Sequence, residues 1–290
     1  MNQSLFNNLT LCTFSTGRIM VREVLEDWLS FLGGRPKKII FAVSPADNPP
    51  PIYQELLAEG LIDEIVYVDL RGRSVGETDA EGIRVAIEAA TTDWILLAKL
   101  DTLPYRRGNE NWLEEGMQTV KKYNCFGFTG SFPSPDMQSL EPGYSKTQKF
   151  SNNFSIFRGR EWIEVIDSYV GKNFDGAVAK NYLYTKESLR FANEAAIETF
   201  LEENQRYMLV RWETPEWTVF HVNVWGEQLR QVRDRYLARK DIGSALNTGT
   251  PQEIGFYHWD MYYGYPKPSL FQRLKIFVGR LRRQIFRTEQ

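Results

Sequence analysis

Polar and charged side chains follow each of the first four predicted strands at the point where the strand ends. They are Thr13, Ser15, Ser44, Asp47, Arg73, Lys99 and Asp101. Because ligands bind outside the carboxyl ends of the strands in an open parallel sheet, we expect these side chains to line one cleft. Hydroxyls, carboxylates and basic groups at neighbouring strand ends predict a nucleotide site. Each residue taken singly is better explained as a helix cap or a turn former, and only the residues together favour a ligand cleft.

Arg73 illustrates the two explanations. Its guanidinium offers a planar fork of donors to a phosphate, or a flat face to a base. A surface ion pair with Glu77 or Asp79 explains the residue equally well. Asp79 is also well placed to cap the helix that we predict to begin there.

Other familiar site chemistries lack their residues. The first predicted strand leads into Ser15-Thr16-Gly17-Arg18, which is not the glycine pattern of a dinucleotide site, and no Walker A pattern is present. The only histidines are His221 and His258. Cys12 and Cys125 are far apart in the sequence. The sequence therefore does not favour a structural zinc site or a cysteine–histidine nucleophile pair.

The elements that must position these residues alternate regularly over the first hundred positions. Predicted strands cover Leu9–Phe14, Lys38–Val43, Glu64–Leu70 and Trp94–Ala98, with helices at Ile19–Leu32, Ile52–Glu59 and Asp79–Ala90 between them. The strand starts are 29, 26 and 30 residues apart. That spacing is typical of βαβ units and predicts an α/β fold with a mostly parallel sheet.

The second half continues the same sheet with a less regular rhythm. Strands are predicted at 126–132, 150–157, 207–212 and 218–224, and helices at 110–123, 160–170, 194–204 and 227–239. A loop is predicted at 133–146, where Pro, Ser and Gly are frequent. We therefore predict one domain over residues 1–240, an irregular lid or linker at 241–268 and a C-terminal helix at 269–290.

Composition excludes several classes of protein. The chain has 290 residues, a formal net charge of -2 and a pI near 5.9, which argues against a dedicated nucleic-acid binder. It has no run of about 18 apolar residues and no basic-then-apolar start, so neither a membrane span nor a secretory signal is expected. Two cysteines favour a reducing, cytoplasmic location. Aromatic residues make 14% of the chain, and core packing is their ordinary explanation.

The stretch EAATTDWILLAKLDTLP, residues 88–104, resembles the GT-A glycosyltransferases, especially the family 2 type. In those enzymes a helix ending in small residues leads into a strand and then an Asp-x-Asp motif. Gly72-Arg73-Ser74, the strand Asn152-Asn153-Phe154-Ser155-Ile156-Phe157-Arg158, Asn193-Glu194 and the late strand Trp217–His221 add to the resemblance. It covers roughly residues 8 to 225. It implies a GT-A (Rossmann-like) fold and transfer of a sugar from a nucleotide donor, a UDP-sugar, to a hydroxyl acceptor.

The Asp-x-Asp motif itself is incomplete here. Lys99-Leu100-Asp101 keeps only the second carboxylate, and reading one step later, Asp101-Thr102-Leu103 keeps only the first. The resemblance implies that Asp101, with His221, holds Mn or Mg beside the donor diphosphate. Two alternatives stay open: Lys99 supplies part of the metal's charge, or catalysis has been lost.

The resemblance also implies a general base for an inverting transfer. Glu194 is the first candidate, and Glu198 lies one helical turn further on the same face. The alternative is that both belong to a solvated helix face with Glu202 and Glu203.

The C-terminal segment from Pro268 to Arg287 combines an apolar stripe with six basic residues. The stripe consists of Leu270, Phe271, Leu274, Phe277, Val278, Leu281, Ile285 and Phe286. An amphipathic helix of this kind lies on an anionic membrane surface, which predicts a peripheral location on the inner face of the cytoplasmic membrane and a lipid-linked acceptor. Packing of the stripe on the protein's own core, or a dimer contact, is the alternative.

Three functions follow from these residues. The first is a glycosyltransferase, and the second is a nucleotide-binding module on the same fold that has lost turnover. The third, an α/β nucleotidyltransferase, is less favoured. Those proteins usually carry a Gly-rich, Lys-containing loop after the first strand, and this sequence lacks one there. Nucleotide binding without turnover separates the second from the first.

Overall fold

The computed structural model describes most of the first 221 residues. The described residues are 3–15, 20–44, 49–73, 75–106, 108, 111–129, 138–172, 191–211 and 217–221, with single positions at 230, 234, 270, 271 and 274. Predictions on Asp47, on the linker at 241–268 and on most of the C-terminal helix lie outside the described residues.

Eleven strands and seven helices are described within these ranges. The strands are β1 (Leu9–Ser15), β2 (Lys38–Val43), β3 (Glu64–Tyr67), β4 (Trp94–Ala98), β5 (Thr102–Arg106), β6 (Gly127–Thr129), β7 (Gln138–Glu141), β8 (Tyr144–Thr147), β9 (Phe154–Arg158), β10 (Met208–Arg211) and β11 (Trp217–His221). The helices are α1 (Gln3–Phe6), α2 (Val21–Leu32), α3 (Ile52–Ala58), α4 (Val75–Glu88), α5 (Trp112–Tyr123), α6 (Gly159–Tyr169) and α7 (Asn193–Glu203).

Nine of the described strands form one sheet in the order β3-β2-β1-β4-β9-β6-β10-β8-β7, and β5 pairs with β11 in a small second sheet. Strands β8 and β9 run against the other seven. The first four strands are parallel, as the βαβ spacing predicted. The predicted α/β fold, with a mostly parallel sheet flanked by helices, is therefore confirmed.

Helices cover both faces of the large sheet because the side chains of each strand alternate between two apolar layers. On β1, Leu9 and Leu11 face the layer that contains α2, α3 and α5, whereas Cys12 faces the layer that contains α4, α6 and α7. Both layers are extensive, so the described part of the chain buries a core on each side of the sheet.

Aromatic rings fill much of the first layer. Trp112 lies between Phe31 and Trp217, with 4.7 Å between ring centroids on each side. Phe154 on β9 packs on Trp28 of α2 at 5.3 Å. Core packing thus accounts for these rings, and they join α2, α5 and β11 to the centre of the sheet.

Glycine permits one close approach between a helix and the sheet. A Cβ at Gly82 of α4 would lie 2.3 Å from the ring of Phe14 on β1, which is closer than carbon atoms can pack. Because Gly82 has no side chain, α4 lies directly on β1 beside the end of the strand.

Several predicted elements need correction. The helix predicted from Asp79 begins at Val75, so Asp79 lies inside α4 and is not its N-cap. The predicted loop at 133–146 contains part of the β7–β8 hairpin, and β5 was not predicted. Alternating small and polar residues in the hairpin gave no apolar run, which is why it resembled a loop.

The C-terminal segment is described at three positions only. Leu270, Phe271 and Leu274 are helical, with 86%, 75% and 59% of their surface exposed. None of the helices among the described residues combines the length and the apolar character that crossing a membrane requires.

Candidate functional site

The carboxyl ends of the first four strands meet at one edge of the sheet. The register aligns Ser15 of β1 with Val43 of β2, and Val43 with Tyr67 of β3. On the other side of β1, β4 is followed by β9, which runs in the opposite direction. The loops that leave β1 to β4 therefore share one edge, the place where a doubly wound sheet binds its ligands.

A tight turn follows β4 and carries Asp101. The Thr102 hydroxyl donates a hydrogen bond to the Lys99 carbonyl, which closes the turn. Trp28 of α2 donates its indole N–H to the same hydroxyl at 3.2 Å. Asp101 is 2% exposed, so its carboxylate is nearly buried beside this turn.

Lys99 extends to the opposite side of the sheet from Trp28. It follows Ile95 and Leu97 in the alternation of β4, and both of these face α4, α6 and α7. Its ammonium donates a hydrogen bond to Asp79 Oδ2 of α4 at 3.1 Å. The end of β4 is thus tied to α4 by an ion pair.

Two more carboxylates act on the same ammonium. Burial by itself lowers the pKa of Lys99, but the charges of Asp79, Glu194 and Asp101 outweigh it and hold that pKa well above its ordinary value. These carboxylates therefore favour the charged form of Lys99. The group formed by Lys99, Asp79, Asp101 and Glu194, here called the Lys99 cluster, unites side chains from three parts of the chain: α4, the turn after β4 and α7.

Glu194 has a fixed place at the start of α7. Its Oε1 accepts a hydrogen bond from the backbone N–H of Asn152 at 2.9 Å. The side-chain amides of Asn152 and Asn193 exchange two hydrogen bonds of 2.8 Å while buried. The backbone N–H of Lys99 donates to the Asn153 carbonyl at 3.1 Å, so the loop before β9 connects Lys99 with Glu194.

Glu198 has different neighbours from Glu194. It is buried, and its Oε1 accepts hydrogen bonds from Lys149 Nζ at 3.2 Å and from the Phe150 N–H at 3.1 Å. The alternative of a fully solvated glutamate face on α7 is wrong for Glu198, although Glu202 and Glu203 are exposed. The contacts of Glu198 hold the segment before β9 against α7.

His221 enters the site through the small sheet. In the antiparallel pairing of β5 with β11, its Cα is the partner of that of Thr102, one residue after Asp101. The backbones of the two residues in the predicted Asp101–His221 pair therefore lie close to each other. The side chain of His221 is outside the described part of the structure.

The other predicted nucleotide residues are placed unevenly. Thr13 and Ser44 are buried at the shared edge, and within the described residues the Thr13 hydroxyl has no hydrogen-bond partner. Arg73 is exposed and lies 3.9 Å from Glu81, so its ion-pair partner is neither Glu77 nor Asp79. Ser15 ends β1, but its side chain is not described.

Mn or Mg finds no complete site among the described residues. No three acidic, histidine or cysteine side chains of the described chain are grouped as a metal site. The Lys99 cluster adds an ammonium to its three carboxylates, and that ammonium would repel a divalent cation bound at Asp101. In the later register of the motif, Leu103 is fully buried in the core and offers no ligand. Binding of a cation by Asp101 with His221 stays a prediction.

Sequence reasoning missed three members of this site. Asp79 was interpreted as a helix cap, and Asn152 with Asn153 as part of a strand. The signal that could have found Asp79 is helical phase: in a helix from Val75, Asp79 and Ile83 lie on one face, and Ile83 is buried against the sheet. No comparable pattern indicates the asparagines.

No protein-family profile and no curated protein sequence matches the chain. Among solved structures, UDP-glucose pyrophosphorylase complexed with UDP-glucose aligns at 9% identity and a TM-score of 0.43, over 70% of this chain and 90% of that one. S. aureus TarS 1-349 in complex with UDP aligns at 11% identity and a TM-score of 0.40, over 70% of this chain and 57% of that one. A longer S. aureus TarS structure aligns at 10% identity and a TM-score of 0.42, over 86% of this chain and 44% of that one. At these values the likenesses assign neither a family nor an activity.

Proposed function

We propose that this chain transfers a sugar from a nucleoside diphosphate donor, a UDP-sugar, to a hydroxyl group of an acceptor, with inversion. The observation that carries the proposal is the Lys99 cluster at the carboxyl edge of β4. It combines an ammonium, which suits a diphosphate, with carboxylates, which suit a hydroxyl acceptor. The sequence resemblance to GT-A glycosyltransferases supports the same reaction.

Binding of the donor is divided among the strand ends. Thr13 and Ser15 lie at the end of β1, Ser44 and Asp47 follow β2, and these four residues suit the base and ribose. Lys99 lies at the end of β4 and suits the diphosphate, with Arg73 a further donor from the segment after β3. The buried Thr13 hydroxyl supports this division, since it has a donor and acceptor capacity that no described residue uses.

Glu194 is the proposed general base. The acceptor oxygen attacks the anomeric carbon while Glu194 takes the hydroxyl proton. The bond between the anomeric carbon and the diphosphate oxygen breaks, and its electron pair leaves with the diphosphate. The hydrogen bond from the Asn152 N–H occupies Oε1 and fixes the carboxylate, which leaves Oε2 for the proton. Glu198, the second candidate, supports the same helix through Lys149 and Phe150.

The charge that develops on the diphosphate needs a counter-charge. The sequence left two sources open: Mn or Mg at Asp101 and His221, or the ammonium of Lys99. The first stays a prediction, because it depends on the His221 side chain.

An inactive nucleotide-binding module is the second candidate. The observation that favours it is the ion pair of Lys99 with Asp79, which occupies the place of a metal-binding carboxylate. Titration calorimetry with UDP, GDP and ADP, with and without Mn, tests nucleotide binding. Release of sugar or UDP from UDP-sugars tests turnover, with Glu194→Gln as the catalytic variant and Glu202→Gln, an exposed residue on the same helix, as the control.

Binding without any turnover would leave the module as the function. Absence of nucleotide binding would contradict both candidates. Turnover that Glu194→Gln abolishes and Glu202→Gln leaves intact supports the transferase.

We further propose that the C-terminal segment places the protein on an anionic membrane surface on the cytoplasmic side, near a lipid-linked acceptor. The exposed and helical Leu270, Phe271 and Leu274 support this, because they lie at the spacing of one helix face and expose most of their surface. Basic residues between the apolar positions add attraction to anionic headgroups.

A further inference from the structure

The ammonium of Lys99 has donor capacity that the described structure does not use. An ammonium has three N–H donors. Asp79 accepts one of them at 3.1 Å, and no other residue in the described part of the chain accepts a second. Yet only 25% of the side chain is exposed, so the unused donors lie in a sheltered place where a ligand with acceptor oxygens would gain from them.

The position of this ammonium is fixed from two directions. Asp79 holds its head from α4, and the hydrogen bond between the Lys99 N–H and Asn153 holds its backbone beside β9. A cation on a long side chain ordinarily loses conformational freedom when it binds an anion. Here much of that freedom is already lost, so Lys99 is prepared for binding.

A divalent cation and this ammonium compete for the same role. Lys99 stands two residues before Asp101, where the GT-A enzymes that the sequence resembles have the first carboxylate of the metal site. Replacing a carboxylate by an ammonium removes an oxygen ligand and adds a repelling charge. A lysine side chain is ordinarily protonated at neutral pH, so this repelling charge is present under the conditions of binding.

We propose that Lys99, positioned by Asp79, supplies the positive charge that a metal ion supplies at an Asp-x-Asp site, so that the chain binds a nucleoside diphosphate without a divalent cation. This inference rests on the proposed function, because it concerns the donor diphosphate. Lys99 contacts the diphosphate, and Asp79 acts through Lys99 as a positioning residue.

Titration calorimetry of the full chain with UDP, in EDTA and in Mn, tests the inference. The wild-type protein is expected to bind UDP equally well in both. Lys99→Met is expected to weaken binding in EDTA by about tenfold or more, because a charge-assisted hydrogen bond is lost. Lys99→Arg keeps the charge and should restore much of the affinity, and Asp79→Asn should weaken binding less than Lys99→Met.

A second variant replaces the positive charge at position 99 by a carboxylate. Lys99→Asp restores a carboxylate two residues before Asp101, and it is expected to abolish binding in EDTA and to make binding depend on Mn. Asp101→Asn separates the mechanisms further. It should leave UDP binding intact if Lys99 carries the charge, and weaken it in Mn if Asp101 holds a metal.

Lys38→Met is the matched control. Lys38 is ion-paired with Glu64 and is 21% exposed, but it begins β2 at the other end of the sheet. It should leave UDP binding unchanged, and the thermal midpoint of every variant is measured to confirm folding.

The outcomes separate the two proposals. UDP binding that needs Mn in the wild type and is unaffected by Lys99→Met overturns this inference and keeps the proposed function; the carboxylates in excess of the ammonium would then recruit the cation. Absence of UDP and GDP binding under either condition overturns both. Loss of binding in both Lys99→Met and the folded control Lys38→Met also overturns the inference, since it assigns the effect to general charge.

Discussion

Lys99 and Asp79 are 20 residues apart in sequence, and their side chains meet at 3.1 Å between the end of β4 and the second turn of α4. The two side chains are 25% and 21% exposed. An ion pair between two elements in this partly buried position stabilises the fold more than an exposed ion pair does, because solvent screens it less.

The first prediction is an energetic coupling between these two residues. In a double-mutant cycle with Lys99→Met and Asp79→Asn, we expect a coupling free energy of about 1 to 3 kcal/mol. Urea unfolding of the four proteins measures it. Additive effects of the two substitutions would show that the pair contributes nothing as a pair.

The turn after β4 gives the second prediction. Thr102→Val keeps the shape of the side chain but removes its hydrogen bonds to Trp28 and to the Lys99 carbonyl. We expect a loss of about 1 to 3 kcal/mol in the free energy of unfolding, because a buried indole N–H loses its partner. Nucleotide affinity should fall as well, since the turn positions Lys99.

Thr119→Val is the matched control for Thr102→Val. The Thr119 hydroxyl donates to the Glu115 carbonyl within α5 and also hydrogen-bonds Tyr144 of β8, away from the Lys99 cluster. This variant should leave nucleotide affinity unchanged. Equal effects of the two substitutions on affinity would contradict a specific role of the turn.

Glu194 gives the third prediction. Glu194→Gln keeps the size of the side chain and a carbonyl oxygen for the Asn152 N–H, but it cannot take a proton. We expect transfer or donor hydrolysis to fall by about a hundredfold or more, which is typical for loss of a general base. Affinity for UDP should change little. A variant with full turnover would show that another group is the base.

Cysteine reactivity gives the fourth prediction. Burial raises the pKa of the Cys125 thiol to about 11, and burial raises that of Cys12 further. The native protein should therefore react slowly with a thiol reagent at pH 8, and the unfolded protein fast at both positions. Fast reaction of the native thiols would contradict their burial.

The same burial predicts a pH dependence of stability. A thiol whose pKa is raised by folding ionises first in the unfolded chain, near pH 8.5. Stability should therefore be unaffected by these thiols below about pH 8.5 and should decline from there towards pH 11. Cys12→Ala and Cys125→Ser variants are expected to show a smaller decline in urea unfolding across this window.

The C-terminal segment gives the fifth prediction. The full chain should sediment with anionic liposomes at low salt and should be released at high salt, because the attraction of the basic residues to the headgroups is screened. A chain ending at Lys267 should stay in the supernatant and remain folded. Neutral liposomes are the control, because they do not attract the basic residues electrostatically.

Two results would contradict the membrane proposal. The full chain could ignore anionic liposomes at low salt, or the shortened chain could unfold. The second result would assign Leu270, Phe271 and Leu274 to packing on the protein itself.

Much of the fold followed from local patterns in the sequence. Apolar runs such as Lys38–Val43 and Trp94–Ala98 are buried on both faces, so they had to be central strands of a parallel sheet. The spacing of these runs left room for one helix between each pair. The carboxyl edge of the sheet followed from the same spacing, and with it the neighbourhood of Asp101.

The tertiary structure alone decided which residues meet there. The partner of Lys99 depends on the phase of α4, which begins at Val75 and brings Asp79 to the end of β4. The direction of β9 places the loop with Asn152 beside Glu194. Such contacts join residues that are far apart in sequence, so local propensity does not predict them. The packing of whole helices and strands determines which of these side chains meet.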